Sequence, residues 1–226
     1  MKSLKFFLLA FMIAACSSYP KKNYYLDENG TPISENSFRK MKKNPNITYA
    51  SWISENDTAR ISRLIHPVFE QYVLAYPPFR NNLEKMTGKD FNDNTIFLLE
   101  YVYLDDHCTS KRNHWTKKDV MERKHFLDSI TTEPLGQNDQ LDFLHIFEKG
   151  IEFPKTSVPE KEYFHTDTNN FLRKTIFRNP TLCGSFALIK PNGQVLVRHG
   201  EFRADWMSEY LKKDYWDLIF PPRAEE

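Results

Sequence analysis

The chain predicts an α/β fold, one mixed sheet preceded by a smaller α+β extension, and three observations carry that expectation. From residue 94 onward, apolar runs of strand length alternate with segments of helical spacing, in the order strand, helix, strand, helix, strand, strand, helix (β-α-β-α-β-β-α). The last two strands flank Pro191-Asn192-Gly193, a tight-turn signal, and so form an antiparallel hairpin. Between residues 24 and 90 the elements are shorter and less regular, and Pro67, Pro77 and Pro78 interrupt them.

The first segment is an address rather than part of the fold. Lys2 and Lys5 form a positive n-region, Phe6 to Ile13 an apolar stretch, and Ala14-Ala15 place small side chains before Cys16. That stretch is too short to span a bilayer as a mature helix. Ile13-Ala14-Ala15-Cys16 resembles the lipobox of bacterial lipoproteins. The resemblance implies cleavage before Cys16, diacylglycerol on its thiol and acylation (palmitate-type chains) of the new amino terminus. Several acyl chains meet the two-signal requirement for stable anchoring. The implied location is the bacterial cell envelope, lipid-anchored on the periplasmic side. Residues 1–15 are then the signal peptide, 16–23 a lipidated tether, 24–90 the α+β extension and 91–226 the main domain.

Within the extension, Tyr24 to Leu26 running into Asp27-Glu28-Asn29-Gly30 predicts a strand and turn, and Ser34 caps a short helix carrying Phe38 and Met41. Ile47 to Ile53 alternates as a strand. Ile61, Leu64, Ile65, Phe69, Tyr72 and Val73 fall at helical spacing and predict helical pieces over residues 55–87, the last ending at Gly88. The extension looks too small to hold its own core, so its strands are expected to join the main sheet.

In the main domain, Asn94 to Leu104 is an apolar, aromatic-rich strand. Thr116 with Asp119 caps a helix running to about Thr131, with Val120, Leu127 and Ile130 on one face. Leu141 to Phe147 is a second buried strand. Thr166 and Asp167 cap a helix carrying Phe171, Leu172 and Ile176, the hairpin follows at Ser185–Ile189 and Val195–Arg198, and Arg203 to Tyr215 closes the domain as one helix.

Composition excludes several function classes. Removing Lys2 and Lys5 from the net charge of +1 leaves the mature chain at −1, without the basic balance of a nucleic-acid surface. Glycine-rich phosphate loops, a GxSxG elbow and HExxH are all missing from the sequence. No cofactor is implied. The full chain has 18 Phe, 11 Tyr and 4 Trp, of which only Phe6, Phe7 and Phe11 fall within residues 1–15, so large aromatic side chains must carry the packing of the roughly 210 mature residues.

The element order, closed by the hairpin SFALIKPNGQVLVRHG, is similar to the thioredoxin-like fold over about residues 94–215. That family carries CxxC where the first strand meets the first helix. Here the junction reads Asp105-Asp106-His107-Cys108-Thr109-Ser110-Lys111-Arg112, with a single cysteine. The family also places a cis-proline before its third core strand, where this chain has Thr181-Leu182-Cys183-Gly184-Ser185. The resemblance therefore implies that Cys108 and Cys183 sit on adjacent loop ends. Three states of the pair compete: a structural disulfide, a redox-active pair in which His107, Lys111 and Arg112 stabilise the Cys108 thiolate against Asp105 and Asp106, or two buried thiols.

A metal-handling role is a weaker candidate. His107, Cys108 and His114 offer ligands within one loop, and copper-delivery members of the superfamily use cysteine and histidine near this junction. Those proteins carry CxxxC and a distant histidine, for which His165 or His199 would have to stand in. Solvated loop positions explain His107 and His114 more simply, while His145 inside an apolar strand reads as a satisfied core residue and His125 as a solvent-facing one. Lys117, Lys118, Arg123 and Lys124 read as a solvated helix face, and Trp206, Tyr210, Tyr215 and Trp216 as packing. The sequence thus points to a degenerate thioredoxin-like, lipid-anchored module that binds an envelope protein or ligand and is stapled by Cys108–Cys183. The alternatives are a thiol-disulfide oxidoreductase using both cysteines and, third, a copper or zinc handler.

Overall fold

The computed structural model describes residues 20–129, 140–154 and 163–221. Cys16 and the rest of the lipobox lie outside them, as do Ile130 and Thr131 of the expected helix. Among the described residues, no helix is long and apolar enough to cross a membrane.

The extension builds a sheet of its own. Strands β1 (Lys22–Leu26), β2 (Pro32–Ile33), β3 (Ala50–Glu55) and β4 (Ala59–Ile65) pair in the order β2-β1-β4-β3, with β1 and β4 parallel. Asp27 closes the first turn by accepting the Asn29 and Thr31 amides on Oδ1. Helix α1 (Glu35–Lys42) starts at the expected cap, where Ser34 Oγ accepts the Ser37 amide at 3.1 Å.

The main sheet has six strands. In chain order its elements are β5 (Phe69–Val73), α2 (Tyr76–Thr87), β6 (Ile96–Val102), α3 (Lys117–Leu127), β7 (Leu141–Glu148), β8 (Phe164–Asp167), α4 (Phe171–Thr175), β9 (Ser185–Ile189), β10 (Gln194–His199), α5 (Ala204–Glu209) and α6 (Lys213–Ile219). The strand order is β5-β10-β9-β6-β7-β8. Strands β6, β7 and β8 run parallel, β9 runs antiparallel to β6, and β10 antiparallel to β9. The inner order β10-β9-β6-β7, with a helical crossover after β6, another before β9 and helices after β10, is a thioredoxin-like arrangement.

Period-two alternation sorts the core into two layers. Phe97, Leu99 and Tyr101 of β6 face α2 and α4, packing with Phe79, Leu83 and Phe177. Leu98 and Val102 face the other way, toward Val120 and Leu127 of α3, Met207 of α5 and Trp216 of α6. Glu100 belongs to this second layer by the same alternation, although it is charged.

The structure corrects four expectations. Residues 59–73 form strands β4 and β5 rather than helix, because Ile61, Ile65, Phe69 and Val73 also fit a pleated strand, and pairing with β1, β3 and β10 overrides the accidental helical spacing. The extension does not merge wholly with the main sheet; only β5 joins it, as an edge strand. Thr166 and Asp167 end an extra strand, β8, instead of capping a helix; α4 begins after Asn170, yet Asp167 Oδ2 still accepts the Arg173 amide in its first turn at 2.8 Å. The terminal helix is split into α5 and α6. Met207 and Trp216 are both buried but lie nine residues apart, which on one continuous helix would put them on opposite faces.

Candidate functional site

The site grows from two loops that leave neighbouring strands at the same end of the sheet. After β6 the chain passes through Asp106 into one 3₁₀ turn, His107–Thr109; before β9 it passes through Thr181 to Gly184. Cys108 and Cys183 are joined by a disulfide across these loops, with their Cα atoms 5.1 Å apart. Cys108 is exposed and Cys183 half-buried.

Asp106 organises both loops, a role that its sequence position alone does not reveal. Its side chain is almost fully buried; Oδ1 accepts the Cys108 amide at 2.8 Å and Oδ2 the Cys183 amide at 2.9 Å. One carboxyl group therefore bridges the backbones of both cysteines. Burial pushes this group above the usual aspartate value, against the pull of the Cys108, Cys183 and Gly184 amides.

The place of the family's cis-proline is taken by two left-handed residues, Cys183 at φ 66° and Gly184 at φ 79°. A Cβ on Gly184 would come within 2.7 Å of the Tyr101 carbonyl oxygen, so this backbone needs glycine. Gly184→Ala is expected to cost about 2 kcal/mol or more, from left-handed strain plus displacement of β6. Its urea midpoint, measured against the parent, checks this; an unchanged midpoint would show that the loop relaxes freely.

A cavity of about 560 Å³ opens beside the disulfide. Val102, Leu127, Phe186 and Ala204 give it apolar walls, Cys108, Cys183 and Asp106 form one side, and Phe126 and Trp206 stand at the mouth, each about half exposed. Each mouth aromatic carries an arginine: Arg123 lies 5.3 Å from the Phe126 ring centre and Arg203 5.0 Å from that of Trp206.

A buried charge cluster lies at the cavity wall. Glu100 accepts from Arg123 Nη2 on Oε1 and from His145 Nδ1 at 2.8 Å on Oε2, which fixes Nδ1 as the protonated nitrogen of a neutral ring. Burial disfavours the Glu100 charge, but Arg123 and His145 outweigh it and hold the carboxyl down to about 2. Burial holds His145 below the usual histidine value. Arg123, read from sequence as part of a solvated face, is thus committed to a buried partner. The available signal was the charge of Glu100 inside the apolar run IFLLEYV.

The remaining candidates scatter. His107 is held below its usual value by burial first and then by the Lys111 charge. His114 is exposed and contacts Glu152 at 3.0 Å. His165 lies on β8, opposite Ile146, and buried His199 sits 3.1 Å from Glu70. Among the described residues no three His, Cys, Asp or Glu side chains are grouped as metal ligands, and the Cys108 sulfur is bonded to Cys183. Lys111 and Arg112, the expected thiolate-stabilising cations, are ion-paired to Glu55 and Asp119. Trp216 is core, whereas Trp206 is not.

No protein-family model matches the sequence, and a search of curated proteins finds no relative. Solved structures overlap with it at low similarity. The pneumococcal exposed lipoprotein thioredoxin (Etrx1) of Streptococcus pneumoniae is 14% identical, with 54% of this chain and 86% of that one covered and a TM-score of 0.33. StoA of Bacillus subtilis is 10% identical, with 63% and 97% covered and a TM-score of 0.33. The N-terminal domain of PilB from Neisseria gonorrhoeae is 12% identical, with 65% and 94% covered and a TM-score of 0.32. Strand order and crossovers, rather than these overlaps, identify the fold.

Proposed function

We propose that this protein is a lipid-anchored module of the bacterial envelope that binds a partner or ligand in the cavity beside Cys108–Cys183, with the disulfide acting as a structural staple in the cavity wall. The observation that carries this reading is the Asp106 carboxyl, which holds both cysteine amides from below. A carboxyl group there opposes thiolate formation, and the cations of the Cys108 loop, Lys111 and Arg112, are ion-paired to Glu55 and Asp119. Without thiolate stabilisation the reduced pair gains little, so the bond is expected to resist reduction.

A redox titration of the mature protein tests this directly. A midpoint below about −300 mV is expected for a structural bond. Opening at about −270 to −120 mV, the range of known oxidoreductases, would replace the staple with the second reading, thiol-disulfide exchange through Cys108 and Cys183. One observation favours that second reading: the exposure of Cys108 at the cavity. Anchoring is tested separately by the mass of the mature amino-terminal peptide. Acylation at Cys16 is expected, and Cys16→Ser should release the chain from the membrane fraction.

A further inference from the structure

Resting on the reading that Cys16 is acylated, we propose that the pole formed by Lys21, Lys22, Arg60 and Lys111 docks on the headgroups of an anionic bilayer, which brings the Cys108 loop to the membrane surface. These four cations come from four separate places in the chain: the tether, the start of β1, the start of β4 and the loop after β6. Sheet register gathers them. Lys22 pairs opposite Ala59, Asn23 opposite Arg60, and Arg60 in turn opposite Glu55 at the end of β3. Glu55 then takes Lys21 at 3.3 Å and Lys111 as ion partners.

The anchor enters at this same pole. Four residues lie between Cys16 and Lys21, and the connection spans at most about 18 Å when fully extended. Acyl chains embedded in a bilayer therefore hold this end of the domain near the lipid surface, while the far ends of the two sheets are free to point away. Four acidic groups lie close to the four cations. Glu55 is shared by two lysines, Asp57 lies in the turn between β3 and β4, and Asp105 on the Cys108 loop accepts from Asn113. The fourth, Asp106, is buried with both oxygens turned to the Cys108 and Cys183 amides, so at the surface itself the cations outnumber the acids.

An aromatic side chain completes the surface. Tyr24 is 43% exposed, and the Lys22 ammonium lies 5.1 Å from its ring centre. A ring with a polar tip beside lysine suits the headgroup layer, where aromatic and basic residues collect. The acyl chains supply the affinity, and the cations, drawn to anionic lipid over about a Debye length, set the orientation. A partner of the cavity beside Cys108 would then be met at the membrane surface.

The experiment uses the mature acylated protein reconstituted in vesicles of phosphatidylglycerol with phosphatidylcholine, or of phosphatidylcholine alone, and reads lysine acetylation by mass spectrometry. Lys21, Lys22 and Lys111 should react at least threefold more slowly on the anionic vesicles, with Lys85 and Lys213 unchanged. High salt or Arg60→Gln should reduce that protection. Equal reactivity on both vesicles, with the acyl mass present on Cys16, would overturn the docking and leave the anchor standing. An amino terminus without acyl groups would overturn both.

Discussion

Glu100→Ala is expected to destabilise the protein by about 3–5 kcal/mol, the cost of breaking a buried ion pair by removing one partner. The substitution strands Arg123, about one quarter exposed, and leaves His145, fully buried, without the acceptor for its Nδ1 proton. Against a typical total of about 5–15 kcal/mol, such a loss should be plain in the urea midpoint. Replacing Glu100, Arg123 and His145 together with apolar side chains of similar volume should recover most of it, since the desolvation cost of all three groups disappears as well. If Glu100→Ala costs less than 1 kcal/mol, water or rearrangement is satisfying the cluster. The same group sets an acid limit. Its folded value, about 2, lies below the unfolded 4.5, so its stabilisation is complete above about pH 4.5 and is lost as pH falls toward 2. His145 acts in the same direction from higher pH: its folded value is depressed by burial, so below about 6.5 the unfolded chain gains a proton that the folded ring resists. Stability should therefore fall on acidification from pH 7, and Glu100→Gln should flatten the lower part of that slope.

What the sequence revealed and what it hid follow from the range of the forces involved. The hairpin at Asn192-Gly193, the Thr116–Asp119 capping box and the two parallel strands were legible because each rests on residues a few positions apart. The pairing of Cys108 with Cys183 followed only from the resemblance, since nothing local links residues 75 apart. Strands β4 and β5 were hidden because Ile61, Ile65, Phe69 and Val73 fit both a helical stripe and a pleat, and long-range pairing decides between them. The reach of the Asp106 carboxyl to the amide of Cys183, 77 positions away, and the capture of Arg123 by Glu100 belong to the folded topology. No spacing rule gives them. Only the charge of Glu100 within a strand otherwise apolar marked that something had to meet it.

Cys108→Ser with Cys183→Ser is expected to lower stability by about 4.5 kcal/mol, the chain-entropy value for a closed loop of this length. The loop spans 75 residues and contains α3, β7, β8 and α4, so cross-linking its ends restricts much of the unfolded chain. Strands β6 and β9 already pair directly, so the folded sheet should keep its register without the bond. Asp106 remains in place to accept both serine amides, which makes its contribution depend on the state of the cysteines. With the disulfide present, Asp106→Ala leaves the two loops covalently tied; without it, the same substitution releases them. The cost of Asp106→Ala should therefore be larger in the double-serine background than in the oxidised protein, a coupling of about 0.5–3 kcal/mol in a double-mutant cycle. Equal costs in the two backgrounds would mean that Asp106 and the disulfide act on the loops independently, and the picture of one carboxyl and one covalent bond holding the same cavity wall would have to be abandoned.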